Sequence, residues 1–222
     1  MRPILLIIAI LCMSTATSAQ SAWLSAWSGG GVPLYNAPTE RGSERVMGIR
    51  FGPDVGARVR FMLGLELRDR RFSTARTSLF VPAEVETFTY RSNELRLQLL
   101  CAVRLAGAEK HETRLLLGLE FGEAGSLDVE RSLGGAGSSE PVSATVDAKR
   151  TVGGFRLGLR HARVVHGRLW WFVEPWADLA FDQQPAIASP WPNERYLELP
   201  ERVATVGIAL GLELGPRSAP RP

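Results

Sequence analysis

The residues with chemistry to offer are arginines and carboxylates that recur two positions apart. Arg58 and Arg60 share a parity with Glu66 and Arg68. Arg96 shares one with Glu94 and Arg104, Arg114 with Glu120, Arg156 with Arg160, and Glu174 with Asp178, while Glu213 stands alone in the last such segment. On an extended strand, residues two apart lie on one face. Both signs of charge on one enclosed face have two outcomes. They neutralise each other as a structural ion-pair network, or, with arginine in excess, they line an anion-attracting lumen. The first is the expectation, because an isolated buried charge is expensive.

Other chemistries find fewer candidates. The three histidines, His111, His161 and His166, fall in or beside short turns, with no paired spacing that suggests metal ligation. Cys12 and Cys101 are the two cysteines. Cys12 lies in an N-terminal segment expected to be removed, which leaves no disulfide and no Cys-based metal cluster. The Gly134-Gly135-Ala136-Gly137 run is followed by no Gly-Lys-Ser/Thr, so it is not a phosphate loop. No catalytic residue, cofactor or metal is expected, and the chain reads as a non-enzyme. The formal net charge of +3 is spread through the periodic segments rather than gathered on one face, which excludes a nucleic-acid patch.

The elements that carry these residues are strands. Val59, Phe61, Leu63, Leu65 and Leu67 alternate with Arg60, Met62, Gly64, Glu66 and Arg68. The same period recurs in Leu95–Leu105, Leu115–Phe121, Phe155–Leu159 and Ala204–Leu214. Eight strands are predicted, at about 21–33, 47–61, 63–73, 87–105, 112–123, 149–163, 168–182 and 201–214. The long connections are 34–46, 74–86, 124–148 and 183–200. Short turns fall near Met62, at Ala106–His111 and at Val164–Gly167. The apolar parity passes unbroken through Met62, so a single strand from Val55 to Leu67, preceded by a turn at Gly52-Pro53-Asp54, is the alternative.

Strands of this length, aliphatic on one face and joined by alternately long and short connections, predict an all-β, antiparallel up-and-down transmembrane barrel. Trp171 takes the lipid-facing parity, Trp170 and Trp176 the inward one. A tetrad, Leu63-Gly64-Leu65-Glu66, returns at Leu117–Glu120 and Leu210–Glu213, with a charge-reversed version at Leu157–Arg160. Its glycine and charged residue share the polar face.

The N-terminus names a compartment. Arg2, the apolar run Ile4–Met13 and the small residues Thr17-Ser18-Ala19 predict a cleavable signal peptide over 1–19. Bulky Leu11 before Cys12 argues against a lipoprotein. Residues 20–214 then form the barrel and 215–222 a Pro/Arg-rich tail, and the bacterial outer membrane is the expected location.

Glu94-Leu95-Arg96-Leu97-Gln98-Leu99-Leu100, Leu115-Leu116-Leu117-Gly118-Leu119-Glu120-Phe121 and Phe172-Val173-Glu174-Pro175-Trp176-Ala177-Asp178-Leu179 resemble successive strands of the PorT-like outer-membrane β-barrel family. Gln98 stands where that family commonly has proline, and the last strand ends at Leu214 rather than at an aromatic residue. The resemblance implies a barrel surrounded by outer-membrane lipid and inserted by the barrel-assembly machinery. The expected function is structural, or binding of a partner at the outer loops, where Asp128, Glu130, Arg131, Glu140, Trp191 and Tyr196 lie. Three alternatives compete: a narrow transport or ligand-binding barrel with an Arg-rich lumen, a membrane-embedded hydrolase or acyltransferase, and a soluble periplasmic lipocalin-like barrel with its faces exchanged.

Overall fold

Period-two alternation continues through eight long strands whose first and last members pair. The computed structural model describes residues 22–35, 41–55, 58–77, 85–134, 141–147, 149–181, 187–191, 196–197 and 202–215. The long strands are β1 (Ala22–Tyr35), β2 (Arg41–Val55), β3 (Val59–Thr77), β4 (Val85–Ala108), β5 (His111–Gly134), β7 (Arg150–His166), β8 (Leu169–Ala180) and β11 (Arg202–Leu214). Three short ones, β6 (Val142–Val146), β9 (Ile187–Ala188) and β10 (Tyr196–Leu197), lie in the connections. The order around the wall is β1-β2-β3-β4-β5-β7-β8-β11, antiparallel throughout. β11 pairs back to β1 from Leu24↔Leu214 to Leu34↔Ala204. Closure removes the unpaired edges that an open sheet would expose.

The wall is inverted relative to a water-soluble domain. Leu65, Leu95, Ile208 and Leu210 point outward and are about half exposed, while Glu66, Arg68, Arg96 and Arg156 are buried. On β11 the outward apolar row runs from Ala204 to Leu214. At about 3.3 Å per residue and a tilt near 40° it covers roughly 25 Å, the height of a hydrocarbon core.

Three expectations about boundaries are corrected. No turn occurs near Met62. β3 runs straight through it, Met62 pairs with Leu100, and the reversal lies between Val55 and Val59. The residues 34–46 are largely strand, since β2 begins at Arg41. Its outward residues there, Arg41, Ser43 and Arg45, are as polar as its inward ones, so the contrast that marks a strand is lost. The segment 124–148 is also mostly strand. A bulge sets Gly125 and Ser126 against Asn93 alone, between Glu94↔Ala124 and Ser92↔Leu127. Beyond it the inward parity of β5 switches to Leu127 and Val129, and β6 pairs alongside. An extra residue of this kind hides a strand from period-two reading. The expected signal peptide (1–19) and the tail after Gly215 lie outside the described residues.

One short turn closes within the expected 106–111, at Glu109-Lys110; the other closes at Gly167-Arg168, because β7 continues through Val164–His166, and Gly167 takes a φ of 54°. In the tetrads, Gly211 makes room for a neighbour. A Cβ there would collide with the Phe172 ring and the Ala26 carbonyl oxygen, whereas one on Gly158 would meet ordinary contacts beginning at 3.6 Å. Gly211→Ala is expected to cost about 1–3 kcal/mol by overpacking, and Gly158→Ala to be neutral or slightly stabilising. Unfolding midpoints of the two variants in one detergent check this. Equal midpoints would remove the packing account.

Candidate functional site

The inward charged residues of seven of the eight long strands, all but β1, meet in one ion-pair network. At its centre Arg156 donates to Asp178 (2.8 and 3.1 Å) and to Glu66 (2.7 Å), and lies 3.0 Å from Glu120. Arg68 donates to Glu66 (2.9 Å), Glu44 (3.1 Å), Asp178 (2.6 Å) and Glu120 (3.2 Å). Gln98 is the neutral joint. Its amide nitrogen donates to Glu66 (2.6 Å) and Glu120 (2.7 Å), and its carbonyl accepts from Arg50 Nε (2.8 Å). A proline at this position could form none of these bonds.

Toward the short turns, Arg50 grips Glu174 through Nη1 (2.8 and 2.7 Å), Arg160 joins Glu174 to Glu213, and Arg60 joins Glu213 (2.9 Å) to Asp54 (2.9 Å). Arg114 pairs with Glu112 at 2.9 Å. Toward the long loops, Arg70 bridges Glu44 (2.8 Å) and Glu94 (3.1 Å), and Arg96 bridges Glu94 and Glu120. Aromatic faces receive the remaining cationic surface: Arg50 lies 4.5 Å over Trp27, Arg156 4.6 Å over Trp176 and Arg160 4.0 Å over Phe172.

Of the residues singled out from the sequence, Arg60, Glu66, Arg68, Arg96, Arg114, Glu120, Arg156, Arg160, Glu174, Asp178 and Glu213 are buried in this network. Arg58 is not. It sits exposed in the β2–β3 turn, because the reversal falls beside it rather than near Met62. Arg104 is half-buried at the rim, opposite Arg114 and next to a bulge at Leu105. The residues singled out from the sequence omit Glu44, Arg50, Arg70, Glu86 and Glu112, which are also buried. With these added, and with Arg58 and Arg104 outside the buried set, the expected arginine excess disappears. The buried arginines 50, 60, 68, 70, 96, 114, 156 and 160 face the buried acids 44, 66, 86, 94, 112, 120, 174, 178 and 213, eight against nine among the described residues.

Both mouths are filled. Phe72, Phe88, Tyr90, Leu127 and Val129 form an apolar cluster at the loop end, with Trp191 packed on it. Trp23 and Trp170 meet edge to face at 5.8 Å at the turn end. Trp176 is buried, and Trp171 faces outward. The three histidines are exposed at the turn end, where His161 Nδ1 lies 3.1 Å from Thr113 Oγ1.

A second feature lies outside the wall. Above the apolar band, the outward faces of β2 to β6 enclose a cleft of about 630 Å³, lined by Ser43, Arg45, Asp69, Arg71, Thr89, Arg91, Asp128, Val129, Glu130, Ser143, Ala144 and Thr145. Arg91 is paired with Asp69 at 3.1 Å, and Thr145 donates to Asp128 at 2.8 Å.

No family model matches the chain, and no curated protein matches it. Among solved structures it is similar to neisserial surface protein A, with 10% identity, a TM-score of 0.42, and coverage of 87% of this chain and 96% of that one. It is similar to a major outer membrane protein from Thermus thermophilus, with 13% identity, a TM-score of 0.43, and coverage of 87% and 99%. It is also similar to Ail, the attachment invasion locus protein of Yersinia pestis, with 11% identity, a TM-score of 0.38, and coverage of 87% and 96%.

Proposed function

We propose that the protein is a non-enzymatic outer-membrane barrel, exported by its N-terminal segment and inserted by the barrel-assembly machinery. Its lumen is a structural plug, and its binding role lies in the part of the wall and loops beyond the membrane. One observation carries this reading: a closed wall whose outer surface is a continuous aliphatic band and whose inner surface is charged. In water that arrangement would expose the apolar face and bury the ions, the reverse of what solvent favours. In a bilayer the band meets hydrocarbon, and the closed wall gives each long strand a hydrogen-bonded neighbour on both sides. The long loops then face outward and the short turns and both strand termini face the periplasm, as in other outer-membrane barrels.

The balance of buried charges and the filled mouths favour a plug over a transport lumen. A kinship with PorT-like barrels is proposed on strand pattern alone, and the loop partner it would share is part of the same proposal.

Expression followed by fractionation and by unheated and heated electrophoresis tests the reading. The expected result is recovery in the outer membrane with heat-modifiable migration, and no stable conducting steps in planar bilayers. Recovery as a soluble periplasmic protein would overturn the membrane assignment. Reproducible conductance would overturn the plug.

A further inference from the structure

The turn end of the barrel carries cations that the lumen network does not use. Its inward carboxylates are already paired: Asp54 and Glu213 with Arg60, and Glu112 with Arg114. The cations outside the network are left over. Each short turn holds an exposed one, Arg58, Lys110 and Arg168, and Arg163 stands exposed on the outward face of β7. Among the described residues, the one exposed carboxylate at this end is Glu109, and its neighbour Lys110 offsets it.

Arg163 sits where the apolar band ends. The outward row of β7 reads Phe155, Leu157, Leu159, His161, Arg163. At about 3.3 Å per residue, His161 and Arg163 follow Leu159 at about 7 and 13 Å along the strand. Their cross-strand partners are Thr113 and His111 on β5, and Val173 and Trp171 on β8. Leu105 on β4 and Trp171 on β8 continue the exposed apolar surface on either side. His111, Thr113, His161 and Arg163 therefore cut a polar notch into the edge of the band, beside a tryptophan at the level where indoles mark a membrane interface.

The register brings no carboxylate opposite Arg163, whose two direct partners are His111 and Trp171. Arg163 makes no ion pair among the described residues. His161 meets Thr113 Oγ1 through Nδ1, at 3.1 Å, which leaves its Nε2 for an outside group. A guanidinium and two imidazoles, with an ammonium in the adjoining turn, suit a phosphodiester, whose oxygens accept paired N–H donors. Leu157 and Leu159 offer a wall for the acyl chains of the molecule carrying it.

We infer that this notch binds the head group of an acidic glycerophospholipid in the leaflet on the turn side of the barrel. The inference rests on the membrane reading above. A free glycerol phosphate presents the same anion to Arg163, but it would gain nothing from the leucines beside it.

The test uses the full barrel in neutral detergent. It is titrated with dioleoylphosphatidylglycerol, with dioleoylphosphatidylcholine and with glycerol 3-phosphate, and adducts are counted by native mass spectrometry. The acidic lipid is expected to bind at least about tenfold more tightly than the zwitterionic one, the ratio that 1.4 kcal/mol produces. Arg163→Gln with Lys110→Gln is expected to erase that preference while keeping heat-modifiable migration, because neither residue joins the lumen network. Arg163→Gln alone is expected to lose most of it. Arg58→Gln, three strands away at the same end, and Arg91→Gln, at the loop end, are each expected to keep it.

A preference that survives the double variant would overturn the site. So would an equal loss in Arg58→Gln or Arg91→Gln, or displacement of the lipid by an equal concentration of glycerol 3-phosphate. Wild-type protein that is heat-modifiable in membranes but shows no preference refutes the notch alone. Wild-type protein that does not enter membranes refutes both readings.

Discussion

Arg156→Met is expected to destabilise the folded barrel by about 3–5 kcal/mol, the cost of leaving buried charges without their partner. Arg156 contacts three carboxylates, on Asp178, Glu66 and Glu120, and is itself fully buried. Its loss leaves Arg68 as the arginine those three share, and Arg68 also holds Glu44. Methionine has a similar reach and no charge, so little of the effect comes from lost volume. Some comes from the lost contact with the Trp176 face. Adding Asp178→Leu removes one charge of each sign and is expected to restore most of the loss, since a paired removal from a low-dielectric interior is close to neutral. A double-mutant cycle from urea unfolding in lipid vesicles isolates the coupling. Arg91→Met, which breaks an exposed pair, serves as the control and is expected to cost no more than about 1 kcal/mol. If Arg156→Met also costs under about 1 kcal/mol, the lumen is wet. The network would then be a polar channel lining, and the plug reading would fail.

The two faces of the wall are legible in the sequence because the strands that cross the apolar band keep a strict period. Leu63, Leu65 and Leu67 against Gly64, Glu66 and Arg68 can be sorted without coordinates. The parts beyond the band are not legible, for a physical reason. Once the outward residues become polar, as at Arg45 and Ser43, alternation no longer separates inside from outside, so Glu44 escapes a parity count, whereas Arg50, between outward Ile49 and Phe51, is open to one. The bulge at Gly125-Ser126 then reverses the parity of β5 and makes a long strand look like a loop. The outer-wall cleft is built entirely from such stretches, and nothing in the periodicity announces it. Partner choice across the lumen is also beyond sequence. Arg60 meets Glu213 and Arg50 meets Glu174 across separations of 153 and 124 residues, and those pairings depend on how the sheet closes on itself. Glu112 is a different case. It has the parity of Arg114 within a predicted strand and is open to the same reasoning. Gln98 stands out in the sequence only as a departure from a family pattern, yet it is the joint through which Glu66, Glu120 and Arg50 are held together.

Leu117→Arg is expected to cost about 2–4 kcal/mol, and the depth dependence of that cost is a sharper test than its size. Leu117 pairs with Cys101 on one side and with Leu157 on the other. On β4 the outward apolar row runs from Leu95 to Leu105, so Cys101, and with it Leu117, lies near the middle of the band. An arginine there must cross the most hydrocarbon before its guanidinium reaches water or a head group. Leu95→Arg lies at the edge of the band and is expected to cost about 0–1 kcal/mol. Asn93→Arg lies one outward position beyond it and is expected to be tolerated without measurable loss. These three substitutions share a sheet face and a solvent-directed side chain, so packing differences among them are small. Only a surrounding medium whose polarity changes with height distinguishes them. Unfolding from vesicles should therefore rank Leu117→Arg well below the other two. Three equal values would mean that the outer surface meets one uniform solvent, and the apolar band would then have to be covered by protein rather than by lipid.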